Sequence, residues 1–332
     1  MGRQLYNRIR TLGMKMPVGC TRMYEHLHEL KLRRRYHRHV KKRRASEKPT
    51  VICMLNGRTH HAGLADRLYG ILSVYRAARE LGYDYRISFT SPFELFDYLI
   101  PNKHNWIIDK SKLDDSEATP IFIRALNPPH NDKRHRQLIN ALRKAPTRQI
   151  HVYSNLKTIE GNDLADLFKT LFKPSAALDD AMARHKEALG SDYASVSFRF
   201  QQLLGDFTDV GAREPLSETN RKSLISKCLS ALDDLYDNIG HKYPKLLVAS
   251  DSSSFLKEAA GRHYAYVIPG EVAHVQFSSS GNAHFKTFMD LMMIASAKES
   301  FLIKTPIMYS SGFPRLASDL GGHSFSVIDL NY

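Results

Sequence analysis

Val51–Arg67 reads VICMLNGRTHHAGLADR. Its first five residues are a continuous apolar run closed by Asn56-Gly57, the pattern of a buried strand ended by a turn. A loop with Gly57 and Gly63 follows. Apolar residues then return at helical spacing, at Leu64, Leu68, Ile71, Leu72, Val74, Tyr75 and Ala78, until Gly82 stops them. Tyr85–Phe89 has the composition of a second strand. Strand, loop, helix and strand in this order are the βαβ seed of a parallel sheet, so an α/β fold is expected.

Outward from this unit the alternation continues. Ser91-Pro92 is expected to start a helix over Phe93–Leu99. The Pro- and His-rich Asn127–Arg136 reads as a loop, and Arg148–Tyr153 as a later strand. A second cycle begins with strand Ala194–Phe200 and runs through helix Thr219–Ile239, strand Lys245–Ala249 and helix Ser253–Ala260. Strand Ala265–Ile268, helix Phe288–Ala297, strand Phe301–Lys304, helix Ser310–Leu320 and strand Ser324–Ile328 complete it. Residues 155–190 fall between the cycles and read as an interdomain segment. The expected architecture is two doubly wound, Rossmann-like domains facing a cleft, at 49–175 and 190–332, after a basic extension at 1–48. A length of 332 residues agrees with two domains at ~100–200 residues each.

The charge is uneven. Of 48 Lys and Arg, fifteen lie in residues 1–48 with only three Glu, so +12 of the net +14 belongs to the extension. It reads as a helix-prone basic segment, in which Tyr24, Leu27, Leu30, Tyr36 and Val40 sit among Arg33, Arg34, Arg35, Lys41, Lys42, Arg43 and Arg44. Such a segment can lie on an anionic membrane surface, each basic residue adding about 1 kcal/mol, or stay solvated. No nucleic-acid module accompanies it, so no nucleic-acid partner is expected. No run of ~18 apolar residues could span a bilayer. Arg3, Arg8 and Arg10 interrupt the first apolar stretch, so no signal peptide is read. The expected location is cytoplasmic, peripheral on the inner face of the membrane. Cys20, Cys53 and Cys228 form no CxxC pair and read as free thiols. The sixteen histidines show no ligand spacing, so no metal is expected.

Four features fall at the C-terminal ends of expected strands, the edge where open α/β sheets bind ligands. In Asn56–Arg67 the glycines let backbone N–H groups approach a phosphate at a helix N-terminus. The loop is neither a Walker A nor a GxGxxG fingerprint, and an ordinary strand-to-helix turn is the alternative. In Val196–Asp206 (VSFRFQQLLGD), the Arg199 fork suits a diphosphate, or a structural ion pair to Asp206 or Asp209. In Val248–Ser253 (VASDSS), Asp251 can accept from the N1–H and N2–H₂ edge of guanine, or cap the next helix. In Tyr309–Phe313 (YSSGF), two hydroxyls precede a helix start, a phosphate cradle or a cap.

Together these segments resemble a family. Gly63-Leu64-Ala65-Asp66-Arg67 looks like the GLG[DN]R loop of the fucosyltransferase-like superfamily, which includes bacterial nodulation and α1,2-fucosyltransferases and protein O-fucosyltransferases. Ser197-Phe198-Arg199 resembles its H-x-R strand, Ala249-Ser250-Asp251 its A-T-D segment, and Ser310-Ser311-Gly312-Phe313 its S-x-F-[ST] segment. The resemblance covers about residues 50–325. It implies a GT-B fold and an inverting, metal-independent transfer from GDP-fucose to a glycan or glycolipid hydroxyl, with no cofactor besides the donor. Arg199 would hold the β-phosphate and stabilise the departing diphosphate. Asp251 would read guanine. His61, Gly63, Asp66, Arg67, Ser310, Ser311 and Gly312 would complete the donor site. Asp66 and Asp206 are the candidates for a general base. Two positions depart from the pattern: Ser197 stands where the family has histidine, so that a guanine or phosphate contact is either lost or supplied elsewhere, by His60 or His61, and Ala65 replaces a glycine. The alternative reading is a catalytically inactive glycan- or partner-binding member of the fold, or a nucleotide-binding scaffold at a membrane.

Overall fold

A computed structural model describes residues 29–36, 42–44, 47–59, 61–123, 131–207, 214–275 and 280–331. Residues 29–36 are helical (α1). β1 (Thr50–Leu55) leads into α2 (Leu64–Glu80), and β2 (Asp84–Phe89) returns beside β1. β3 (Leu99–Pro101), β4 (Ala118–Ile123), α3 (Asn131–Lys144) and β5 (Gln149–Ser154) follow. The first sheet has the order β2-β1-β5-β4 with every pair parallel. The apolar run that opened the reading is its buried strand β1. Helix α2 crosses the sheet so closely that a Cβ at Gly70 would lie 2.3 Å from the Ser154 carbonyl oxygen.

The second half begins after α4 (Asn162–Leu171), β6 (Phe172–Pro174) and α5 (Ala176–Leu189). It comprises β7 (Ala194–Phe198), α6 (Glu218–Ile239), β8 (Leu246–Ser250), α7 (Ser253–Ala259), β9 (Ala265–Tyr266), α8 (Gly281–Ala295), β10 (Glu299–Lys304), α9 (Gly312–Gly321) and β11 (Ser324–Asp329). Its sheet runs β11-β10-β7-β8-β9, again wholly parallel. The molecule is therefore α/β with two parallel sheets wrapped by helices.

Three local expectations change. Phe93–Leu99 is not a helix. A 3₁₀ turn at Leu95–Asp97 leads into β3, whose pairing with β6 draws the chain into an extended form. Asn131–Arg136 is helical, because Leu138, Ile139 and Leu142 give α3 one buried face and Asp132 and Lys144 suit its two ends. Residues 127–130 lie outside the described residues. The segment 155–190 is folded rather than a linker, and α4 packs against α9 of the other half.

One core serves both halves. Leu55, Leu68 and Leu72 belong to the same buried cluster as Phe288, Met293, Leu316 and Leu320. At its centre Phe288 stacks on Tyr98 at 4.6 Å and meets Phe93 edge-on at 5.5 Å. The outer face of the second sheet packs separately, through Phe198, Phe200, Leu232 and Phe255.

The outer face of the first sheet is covered by α1. Leu32 and Tyr36 are buried against Ile52, Met54 and Tyr153. The Tyr153 hydroxyl lies 2.8 Å from that of Tyr36, and Tyr36 lies 3.0 Å from His151 Nδ1. His151 Nε2 is 2.9 Å from Gln149 Oε1. Burial pulls the His151 pKa down to about 4, so a neutral ring accepts from Tyr36 and donates to Gln149. Packing thus reaches back to Leu32, well before Pro49. Most of the extension, residues 1–28 and 37–41, lies outside the described residues. Cys53 and Cys228 are free and buried, their thiols pushed up to about 12; Cys20 lies outside the described residues.

Candidate active site

The C-terminal edges of the two sheets face one cleft of about 640 Å³. The first half contributes Ala62–Asp66 and Tyr69. The second contributes the ends of β7 and β8, the segment Val272–Val275, Thr287 and Asp290 of α8, and Tyr309–Pro314.

Arg199 lies just past β7, with its side chain 20% exposed and Nη1 3.1 Å from Asp251 Oδ2. Its guanidinium sits 4.7 Å over the Phe207 ring. Asp251 follows β8 and is almost wholly buried. Its Oδ1 accepts from Phe200 N at 2.8 Å and its Oδ2 from Gln201 N at 2.7 Å. Burial raises the Asp251 pKa, opposed by Arg199 and these two N–H groups. The contacts hold Gln201 in the left-handed region at φ 55°, a conformation that costs a non-glycine residue about 1–2 kcal/mol. Asp251 therefore fixes the bend that presents Arg199 to the cleft. The helix cap considered for it is made instead by Ser252, whose Oγ accepts from Phe255 N.

Beside Arg199, Ser310, Ser311 and Gly312 bring the N-terminus of α9 to the cleft. Ser311 caps that helix by accepting from Phe313 N, and Tyr309 N donates to the Arg199 carbonyl at 3.2 Å. A guanidinium and a helix N-terminus thus converge, a combination that binds diphosphate.

On the other wall Gly63 is the N-cap of α2, and Asp66 lies in its first turn, accepting from Gly63 N. This is the carboxylate half of a capping box. Burial raises the Asp66 pKa, against the pull of that N–H and of Arg67. Arg67 is buried and turned away from the cleft. It donates to the carbonyls of Ala62, Ser91 and His61 and so pins the loop from behind. His61 is buried beside Thr59 and does not line the cleft; His60 and Asp209 lie outside the described residues. Asp206 also lies off the cleft. Its Oδ2 accepts from Ser252 Oγ, Ser254 N and Ser254 Oγ, each at 2.8 Å, at the start of α7.

Two cleft residues carry no signal in the sequence reading. Asp290 is buried on α8 and ion-paired with Lys286 at 2.5 Å, its carboxyl raised by burial. His274 faces the Gly63 loop from the other half. Asp290 hides in an apolar helix, and His274 in a segment without regular structure; only the i,i+4 pairing with Lys286 and the approach of His274 to Gly63 of the other half reveal them. Ser197 reaches the cleft with a buried Oγ that has no hydrogen-bond partner among the described residues.

No family model matches the sequence. No curated protein matches it either. Solved structures do. NodZ α-1,6-fucosyltransferase soaked with GDP-fucose superposes with a TM-score of 0.52 at 12% identity, over 82% of this chain and 93% of its own. Arabidopsis thaliana FUT1, as a variant in complex with GDP, gives 0.53 at 13% over 92% and 78%. POFUT1 in complex with GDP gives 0.50 at 12% over 85% and 98%.

The chain has the GT-B fold of the fucosyltransferases.

At these identities the likeness describes the fold, and it agrees with the α/β architecture of two facing sheets. The GT-B cleft lies where the four sequence segments were expected to meet. All four supply lining residues, the Gly63 loop from the first half and the other three from the second.

Proposed function

We propose that the chain is a glycosyltransferase that moves fucose from GDP-fucose to a glycan or glycolipid hydroxyl, with inversion and without a metal. The observation that carries this is the placement of Arg199 beside the N-terminus of α9 in one cleft. That pair meets the charge that grows on the diphosphate as the sugar leaves, which is where electrostatic stabilisation contributes most. Nodulation, plant and protein O-fucosyltransferases of the same fold, whose structures hold GDP or GDP-fucose, support the donor. Asp251 and Asp290 are the two carboxylates of the second half that line the cleft, and both are candidates for reading guanine. Asp251 serves Arg199 and two backbone N–H groups, and Asp290 is paired with Lys286. No helix among the described residues is long and apolar enough to cross a membrane. The exposed Lys31, Arg34 and Arg35 of α1 support a peripheral site of action on anionic lipid, in the cytoplasm and in polysaccharide assembly.

Calorimetric titration of the full chain with GDP, UDP and CMP tests the proposal. GDP is expected to bind best, Arg199→Ala to weaken it about tenfold or more, and Arg199→Lys to recover little, since an ammonium cannot reproduce a fork. A chain that responds to none of the three nucleotides is not a nucleotide-sugar enzyme. The inactive-relative reading draws on the unpartnered Ser197 hydroxyl. It predicts GDP binding without release of GDP from GDP-fucose.

A further inference from the structure

Four carboxylates lie in or beside the cleft, and three are engaged. Asp251 is committed to Arg199, Asp290 to Lys286, and Asp206 to the start of α7. Asp66 makes no ion pair among the described residues, and its one anchor is the backbone N–H of Gly63. A carboxylate accepts about four hydrogen bonds, so most of its capacity is open to the cleft. The space it faces is defined by the glycine. A Cβ on Gly63 would lie 3.9 Å from Asp66 Oδ2 and 3.7 Å from His274 Nε2, with no other group beyond its chain neighbours within 4 Å among the described residues. An acid of the first half and an imidazole of the second therefore border the same small space. His274 also meets the edge of Phe207 at 6.4 Å, the ring whose face carries Arg199. The space thus adjoins the diphosphate groups without being part of them.

The geometry points to Asp66 as the group that takes the proton from the attacking hydroxyl, with His274 positioning that hydroxyl from the opposite wall. This rests on the donor reading above. In the step, the acceptor oxygen bonds to the anomeric carbon as the bond from that carbon to the β-phosphate oxygen breaks. The electron pair leaves on GDP, and the hydroxyl proton passes to the Asp66 carboxylate. A raised pKa makes a carboxylate a stronger base, as proton abstraction near neutral pH requires. The other charged groups along this stretch are Arg67 behind the loop, Arg199 beyond Phe207, and the paired Asp251 and Asp290.

The test uses the full chain with GDP-fucose, water serving as acceptor, and reads GDP release alongside calorimetric GDP binding. In Asp66→Asn the amide oxygen still accepts from Gly63 N, so the fold persists. GDP affinity is expected within about threefold of wild type, while kcat falls about 100-fold or more and its acid-side pH limb disappears. His274→Gln is expected to lower kcat about tenfold and raise the KM for donor little, with the acid limb kept. An Asp66→Asn chain with kcat near wild type overturns the assignment, as does one whose GDP affinity falls as far as its kcat. Wild-type protein that binds GDP but releases none from GDP-fucose overturns it too. If wild type binds no GDP, the donor reading itself falls.

Discussion

Gly63 and Gly70 sit two turns apart on one helix, and the structure assigns them opposite sensitivities. At Gly70 an added Cβ meets backbone at 2.3 Å, 2.9 Å and 3.0 Å, where neither α2 nor β5 can give way. At Gly63 it meets only side-chain tips at ordinary contact distance. Gly70→Ala is therefore expected to cost about 1–3 kcal/mol, through overpacking. Gly63→Ala should unfold near the wild-type midpoint yet weaken GDP-fucose turnover by filling the space between Asp66 and His274. Urea unfolding and GDP-release assays on both variants check this, and equal stability loss in the two would contradict the packing argument. The same scale shows what a sequence can disclose about a site. Arg199 and Asp251 were recognisable because strand ends are where ligands bind. Their partnership was not, because Asp251 acts on N–H groups some fifty positions earlier. Arg67 and Asp206 look like ligand residues in sequence, and only their hydrogen bonds show that each holds a loop or a helix end.

Among elements, the α1 helix departs most from its sequence reading. A basic segment without a strong apolar face suggests a solvated or lipid-bound tail, and that reading cannot anticipate that Leu32 and Tyr36 close the outer face of the first sheet. The signal was present as one leucine and one tyrosine four residues apart, but charge dominates their neighbourhood. Docking leaves Leu30, Lys31, Arg34 and Arg35 exposed on the outside. Deleting residues before Pro49 would strip the sheet as well as the charge, so charge reversal is the cleaner experiment. With Lys31, Arg34 and Arg35 all changed to Glu, binding to vesicles rich in phosphatidylserine should fall about tenfold or more at low salt. Tyr36 stays in place, so thermal stability should change little. Unaltered vesicle binding would dissociate the α1 surface from lipid. The long helices and central strands were legible because their apolar period is strong over many residues. Strands β3, β4 and β6 and helices α3 to α5 were missed because short, edge or highly charged segments take their form from tertiary pairing.

Across the whole molecule, the reading of two alternating cycles identified both sheets but separated them too cleanly. The segment 155–190 and helix α8 join the halves through buried aromatic and aliphatic contacts whose members lie nearly two hundred residues apart, a distance that periodicity cannot bridge. Phe288 is fully buried between Tyr98 and Phe93 of one half and its own helix in the other. That helix also carries Thr287 and Asp290 into the cleft. The stack at Phe288 thus links the relative placement of the sheets to the shape of the cleft. Phe288→Ala is expected to remove about 3–5 kcal/mol and to turn a single calorimetric unfolding transition into two, as each half loses its main contact with the other. GDP affinity should fall in the same variant although no residue contacting the nucleotide has changed. Phe198→Ala, a deletion of the same side chain in the separate outer core, gives the comparison. It should lower stability by a similar amount while unfolding stays a single transition. If Phe288→Ala also unfolds in one step with unaltered GDP affinity, the cleft is held by its strand ends alone, and the shared core serves stability without shaping the site.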